Sequence, residues 1–242
     1  MAQSHKVEIV ACDTGGVTDS RRYDEIAAWY DEYVRGDKAD TTRLVGETLV
    51  KLLGLGPGRC LDLGCGGGVH ISALEDARWT VVGVDESAEQ LRVARERVGE
   101  RIDLIKADAH ALPFPDASFD AVAAAFMHTD VNDVGLVFTE AARVLRGGGR
   151  FVHVGTPPCV VAPSVELVEG GRLPRSGYRR EGWTREGAGM GAGIRTRVAV
   201  YHVTLAGLLN AVASAGLVLD RALEPEDEDP PPLFALAATK RP

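Results

Sequence analysis

Leu61-Asp62-Leu63-Gly64-Cys65-Gly66-Gly67-Gly68 is the stretch on which the fold turns. A short apolar run, Arg59 to Leu63, leads into it, and a helical stretch from about Val69 to Asp76 leads out. Strand, glycine turn and helix in that order are the repeating unit of a doubly wound α/β sheet, which binds its ligand at such turns. Glycine there permits positive φ and lets a ligand approach the backbone closely. The amides that open the helix favour a negatively charged group. A dinucleotide fingerprint would place glycine at the first, third and sixth positions. Gly64 and Gly66 satisfy two of these, but Val69 takes the sixth. A purely structural turn also favours glycine, so the flanks must decide.

Downstream a rhythm sets in. Trp79 to Val84 reads as a second strand and Ser87 to Val98 as a helix with Leu91, Ala94 and Val98 on its inner side. Ile102 to Lys106 and Phe119 to Phe126 are the third and fourth strands. A helix over Val134 to Leu145 is closed by Arg146-Gly147-Gly148-Gly149, and Phe151 to Val154 is the fifth strand. Continuous apolar strands alternating with helices indicate parallel strands covered on both faces, joined by right-handed crossovers. The expected fold is α/β, an open doubly wound sheet.

Upstream, Tyr23, Ile26, Ala27, Tyr30, Tyr33 and Val34 recur at helical spacing. A second helix carries Leu44, Val45, Thr48, Leu49, Leu52 and Leu53 and stops at Gly54-Leu55-Gly56-Pro57-Gly58. Residues 1–20 read as a loose arm, and residues 21–242 as one domain. Beyond Gly155 the rhythm breaks: residues 157–192 are rich in Gly, Pro, Arg and Glu and read as an irregular insert or lid on the substrate side, or as partly disordered. Arg195 to His202 reads as a strand, Thr204 as the N-cap of a helix through Ala215, and Gly216 as its stop. Leu217 to Ala222 and Leu233 to Ala238 are two last strands, split by the acidic loop Glu224 to Pro232.

Two carboxylates strengthen the glycine turn. Asp85 ends the second strand, at close to the roughly 20-residue spacing of an acid that grips ribose hydroxyls. A carboxylate accepts two hydrogen bonds, which suits a vicinal diol; the plainer alternative makes Asp85 a cap for the next helix. Asp108 closes the third strand in Lys106-Ala107-Asp108-Ala109. Three consecutive parallel strands thus end near Asp or Gly at one rim of the sheet.

With 242 residues, 45% of them hydrophobic and 26% charged, the chain is an ordinary globular protein rather than a disordered or fibrous one. Its net charge of −8 lacks the basic excess that displaces counterions from nucleic-acid phosphates, so no nucleic-acid partner is expected. Cys12, Cys60, Cys65 and Cys159 form no C-x-x-C pair and have no histidine cluster at zinc spacing, so no metal is expected. Cys60 and Cys65 border the first strand, where free Cys behaves as a small hydrophobe. No signal peptide opens the chain and no apolar run approaches the roughly 20 residues that span a bilayer. A cytoplasmic protein without a membrane partner is expected.

Taken together these residues resemble the class I S-adenosylmethionine-dependent methyltransferases. Asp62-Leu63-Gly64-Cys65-Gly66 is similar to that family's first motif, and Val84-Asp85-Glu86-Ser87 to its second. Asp108-Ala109-His110-Ala111-Leu112-Pro113-Phe114 with Phe119-Asp120-Ala121-Val122 resembles the third region and the strand after it. Ala141 to Gly149 resembles the late helix and turn, with Gly147 in place of the usual proline. The segment from Tyr23-Asp24 to Tyr30-Asp31 is similar to the N-terminal helix of the ubiquinone- and menaquinone-biosynthesis subgroup. The resemblance implies a Rossmann-like, mostly parallel seven-stranded sheet with an antiparallel last strand. It implies S-adenosyl-L-methionine as cofactor and S-adenosyl-L-homocysteine as product. Gly64, Cys65 and Gly66 would pass under its methionine part, with Asp62 placing the amino group and Tyr30 closing over that end. Asp85, with Glu86 beside it, would hold the ribose. Asp108 and the Ala109 amide would take the adenine, and Phe126 would line the pocket near the sulfonium.

An oxygen or carbon acceptor gains about 10²–10⁴-fold from a general base. His128, in Phe126-Met127-His128-Thr129-Asp130 just past the fourth strand, is the first candidate, with a structural histidine held by Asp130 or a backbone carbonyl as the alternative. His153 is second, although its alternation with Val152 and Val154 suits a packed interior side chain. In the insert, Tyr178, Trp183 and Met190 suit an apolar acceptor, and Arg172, Arg175, Arg179 and Arg180 an acidic one. The expected function is methyl transfer to a small organic acceptor. The alternatives are a nicotinamide-dependent oxidoreductase on a related sheet and a non-catalytic S-adenosylmethionine-binding protein.

Overall fold

The computed structural model describes residues 21–159, 163–185, 187, 190, 193–225 and 230–242. The expected N-terminal arm, Cys12, part of the 157–192 insert and the centre of the acidic loop lie outside the described residues.

The chain opens with two short helices, α1 (Arg21–Asp24) and α2 (Ala27–Arg35), followed by the longer α3 (Ala39–Leu53). Gly54, at φ +75°, ends α3 as the glycine-rich stop predicts. The alternating core follows as β1 (Arg59–Leu63), α4 (Ile71–Asp76), β2 (Thr80–Asp85), α5 (Ala88–Val98) and β3 (Asp103–Lys106). It continues through β4 (Phe119–Ala125), α6 (Val134–Val144) and β5 (Leu145–Gly155). The insert holds β6 (Val165–Val168), β7 (Gly171–Pro174) and β8 (Gly182–Thr184), and β9 (Val200–His202) follows it. The chain closes with α7 (Leu205–Ser214), β10 (Leu217–Leu223) and β11 (Phe234–Lys240).

Seven of these strands make one sheet in the order β10-β11-β5-β4-β1-β2-β3. Only β11 runs against its neighbours, pairing antiparallel with both β5 and β10. On one face Leu61, Val82, Val122 and Phe151 pack with Phe138, Ala141, Leu208 and Val212 of α6 and α7. On the other, Cys60, Val81, Ala123 and Val152 pack with Val45, Leu49, Ile71 and Leu74 of α3 and α4. Burial on both faces is what makes the strand sequences read as unbroken apolar runs.

Strand order places a switch point between β1 and β4: the chain winds outward to β3, then returns to the other side of β1. Leu63 stands level with Val84 of β2 and with Ala124 of β4, and Asp85 stands level with Lys106 of β3. The ends of four strands therefore meet at one edge.

Some expectations need correction. Arg195 to His202 is not a strand. Gly193–Thr196 is a 3₁₀ turn, Gly193 sits at φ +61°, and only Val200–His202 is extended, paired with β8 outside the main sheet. The insert is not wholly irregular either, because β6 and β7 form a hairpin across Gly170, at φ +79°. The fifth strand starts at Leu145 rather than Phe151. Its pairing with β4 jumps from Phe119/Leu145 to Ala121/Arg150, so Arg146 to Gly149 bulges from the sheet. On α5, Gln90 and Val93 turn inward with Ala94 and Val98, while Leu91 is half-buried.

Candidate functional site

The turn after β1 hangs from β2: the N–H groups of Gly64 and Cys65 both donate to the Val84 carbonyl, at 2.8 and 2.9 Å. Gly64 and Gly66 adopt φ of +71° and +50°, so the motif's glycines serve the backbone directly. A Cβ on Gly64 would lie 2.4 Å from the Met127 methyl. Asp85 fastens the turn from the side. Its Oδ2 accepts the Gly66 N–H at 2.8 Å and its Oδ1 the Ser87 N–H at 2.9 Å. The cap of α5 is Ser87, whose hydroxyl accepts from the Gln90 amide, so Asp85 is free of that duty.

Above this turn lies a cavity of about 410 Å³, within the range of small-molecule sites. Tyr30, Gly64, Cys65, Gly66, Asp85, Glu86, Asp108, Ala109 and Phe126 line it; Asp62 lies beneath, 2% exposed, with Oδ2 unpartnered. Burial and then the nearby Asp85 charge push the Asp62 carboxyl up to about 7. Burial pushes Asp85 up to about 6, against the opposing pull of its two N–H donors. At Asp108 partial burial acts upward, but the backbone N–H and the ring of His110, at 2.8 and 2.6 Å, outweigh it and hold the carboxyl below its ordinary range. Phe126 sits at φ +56°, a strained backbone for a non-glycine residue, with its N–H donated to Val154 at 2.7 Å.

α1 and α2 roof the cavity through polar contacts. Asp24 accepts from the Ser87 hydroxyl at 2.5 Å and the Glu89 N–H at 3.1 Å. Tyr23 donates to Asp130 Oδ1 at 2.8 Å, and Arg97 joins Asp31 of α2 to the Gly67 carbonyl of the turn. From the insert, Trp183 reaches the cavity wall; Met190 is buried but does not line it, and Tyr178 instead accepts the Leu205 N–H at 2.8 Å. None of Arg172, Arg175, Arg179 and Arg180 lines the cavity, and Arg175 pairs with Glu166.

The structure does not bring His128 and His153 to this cavity. They are 2% and 0% exposed and face each other, Nδ1 of His128 to Nε2 of His153 at 2.8 Å. His153 is the interior side chain that its alternation suggests, and the missing Cβ of Gly155 makes room for the His128 ring. Arg22, Asp31, Gln90 and Asp130 line the cavity without having been singled out for it from the sequence. Asp31 and Asp130 fall within quoted segments but were given no role at the cavity there. Only the alternation of acids with tyrosines in α1 and α2 hinted at a roof.

Burial pushes His70 down to about 4, His128 to about 3, and His153 well below its ordinary value. A histidine depressed in this way is neutral when folded and gains a proton on unfolding below about pH 6.5, so its contribution is complete above that pH and is lost toward the folded values. Asp62 and Asp85 act in the opposite sense, staying protonated in the folded chain from about 7 and 6 downward. Glu86, raised by burial, adds to Asp62 and Asp85, whereas Asp31, Asp108, Asp120 and Glu140, held below their ordinary range, add to the histidines. The second set is the larger, so unfolding free energy should fall as the pH is lowered from about 6 to 4.5. Urea titrations across that window check it, and stability that rose on acidification would contradict the burial of these rings.

Residues 61–153 match the family described as methyltransferase domain. The matched stretch holds the glycine turn, Asp85 and Asp108, so this part of the chain is similar to methyltransferase domains. Over 140 residues the chain is 36% identical to a demethylmenaquinone methyltransferase of Renibacterium salmoninarum, covering 54% of this chain and 59% of that protein. Over 158 residues it is 37% identical to the 27-O-demethylrifamycin SV methyltransferase of Amycolatopsis mediterranei, covering 60% and 57%. It thus spans less than two thirds of the length of these relatives. The crystal structure of an S-adenosylmethionine-dependent methyltransferase from Mesorhizobium loti superposes with a TM-score of 0.67 at 25% identity, covering 81% of this chain and 95% of that one. The seven-stranded sheet with one reversed strand is the arrangement expected of the family. Among the described residues no helix is long and apolar enough to cross a membrane.

Proposed function

We propose that the protein transfers a methyl group from S-adenosylmethionine to a small organic acceptor. The observation that carries this is the cavity at the β1/β4 switch point, floored by Gly64 and Gly66 and flanked by the carboxylates of Asp85 and Asp108. Positive φ at both glycines leaves a cradle without side chains, and the unpartnered Oδ2 of Asp62 beneath it suits an ammonium group. The family's cofactor therefore fits the residues present. In this reading Asp85 holds the ribose diol and Asp108 offers its second oxygen to the adenine amino group. Tyr30 and Phe126 cover the sulfonium end, and the α1–α2 roof keeps water out. When bound, the cofactor supplies an electrophilic methyl whose sulfonium charge disappears on transfer. The chain's own task is alignment and exclusion of water. The demethylmenaquinone and demethylrifamycin methyltransferases among the relatives favour an acceptor larger and less polar than an amino acid.

Calorimetric titration with S-adenosylhomocysteine, S-adenosylmethionine and NAD tests the reading. The first two should bind and NAD should not; NAD binding alone would replace it with the oxidoreductase. Release of S-adenosylhomocysteine in the presence of an acceptor separates the enzyme from an inert binder.

A further inference from the structure

Residues 107–118, which join β3 to β4, form neither helix nor strand, yet Asp108, Ala109 and His110 among them line the cavity. Backbone without a ladder of its own keeps its place only through bonds to its neighbours. At the start of the segment the Ala107 N–H donates to the Asp85 carbonyl of β2, at 3.1 Å. Further along, two side chains of α6 take over. Glu140 Oε2 accepts the Leu112 N–H at 2.8 Å, and Nη2 of Arg143 donates to the Leu112 carbonyl at 3.0 Å. Nη1 of Arg143 donates to the Phe114 carbonyl and to Asp116 Oδ1, both at 2.8 Å. Neither Glu140 nor Arg143 lines the cavity.

The two side chains also hold each other. Nε and Nη2 of Arg143 donate to the two Glu140 oxygens, each at 2.8 Å, a paired geometry that a guanidinium offers and an ammonium does not. Arg143 is the largest influence on the Glu140 carboxyl and, with the Leu112 N–H, keeps it below its ordinary range despite partial burial. Between the Ala107 and Leu112 anchors, Asp108 to Ala111 fold on themselves. Asp108 Oδ1 accepts the His110 N–H at 2.8 Å and faces the His110 ring at 2.6 Å, and the Ala111 N–H donates to the Asp108 carbonyl at 3.0 Å. A turn closed by its own bonds moves as a unit. Its height on the cavity wall is therefore set by its ends, Ala107 on β2 and Leu112 on α6.

We infer that Glu140 and Arg143 are positioning residues for base recognition, which act by fixing the Leu112 end of the turn that carries Asp108 and Ala109. The inference rests on the methyltransferase reading, in which that turn meets the adenine, and assigns the discrimination between purines to a clamp on α6. A hydrogen bond weakens steeply once donor and acceptor are misaligned. Slack at Leu112 therefore costs the contacts to the base and spares those assigned to Gly64, Gly66 and Asp85.

The test compares calorimetric affinities for S-adenosylhomocysteine and S-inosylhomocysteine. In the second ligand an oxygen replaces the amino group and N1 carries a proton, so Asp108 meets an acceptor and the Ala109 N–H meets a donor. A site built around hydrogen bonds rejects an analogue that leaves them unpaired, and the wild type should prefer S-adenosylhomocysteine at least about tenfold. Arg143→Met should lower that preference at least about threefold, because only the adenosyl ligand has base contacts to lose. A merely structural loss would weaken both ligands alike and leave the ratio unchanged. Arg143→Lys should fall between, and Glu140→Gln, which keeps an acceptor for the Leu112 N–H, should keep more of the preference than Arg143→Met. Arg146→Met is the control: Arg146 binds the Ala117 carbonyl and Asp120, so its loss should lower stability in urea and leave the ratio at the wild-type value. A smaller wild-type preference, an Arg143→Met ratio within threefold of wild type, or an equal fall in Arg146→Met overturns the inference. If Arg143→Met does not fold, Arg143→Lys decides, and a wild-type ratio there overturns it. Failure of the wild type to bind S-adenosylhomocysteine is a distinct result, which removes the methyltransferase reading itself.

Discussion

Asp85→Ala should weaken S-adenosylhomocysteine binding at least about 100-fold, or 2.7 kcal/mol. Two losses combine. The Gly66 and Ser87 N–H groups lose the carboxylate that accepts from both, and each unpaired donor in a part-buried site costs about 1–3 kcal/mol. On the proposed reading the ribose then loses its acceptor as well, on a turn held to β2 only through Gly64 and Cys65. Asp85→Asn keeps one accepting oxygen and should lose about tenfold. Calorimetry with a melting curve for each variant separates binding from folding. An Asp85→Ala protein that binds within about threefold of wild type would remove this carboxylate from the site.

The second large effect belongs to Gly64 and is best measured against Gly99. Both have positive φ, at +71° and +66°, so alanine is strained at either, by about 1–2 kcal/mol at Gly64 and, with ψ at −160° in a region essentially restricted to glycine, by about 1–3 kcal/mol at Gly99. At Gly99 nothing lies within 4 Å of the added methyl, and the cost ends there. At Gly64 the methyl would lie 2.4 Å from the end of the Met127 side chain, which must swing aside. Because that end is flexible, the added strain falls toward the lower end of the usual 1–3 kcal/mol for overpacking. Gly64→Ala should therefore lose about 2–3 kcal/mol of stability in urea titrations. It should also lose about tenfold in S-adenosylhomocysteine affinity, since the displaced thioether lines the cavity. Gly99→Ala should bind normally. Equal effects at the two positions would mean that the turn tolerates a side chain.

The strands and the floor of the cavity were legible because their information is local. Apolar runs punctuated by glycine fix β1 to β4 within a residue or two, and parallel register then carries Gly64, Asp85 and Asp108 to one edge without further instruction. The roof of the cavity was not legible. Arg22 and Asp130 stand 108 positions apart, on segments with no shared period, and meet only through the fold. His128 misled for a related reason. A strand end points toward the rim, but Phe126, at φ +56°, turns the chain so that the next histidine packs inward against His153. Arg195 to His202 reads as a strand in the sequence, yet Gly193 and the 3₁₀ turn swing Arg195 toward Asp130 and Thr129 instead.

One side chain grips both parts of the enclosure around the cavity: Arg97 holds the Gly67 carbonyl with one nitrogen and the Asp31 carboxylate with the other. Cover and base are therefore not independent parts. Anything that moved α2 away from the cavity would withdraw a support from the loop beneath it, and anything that settled that loop would steady the cover in turn.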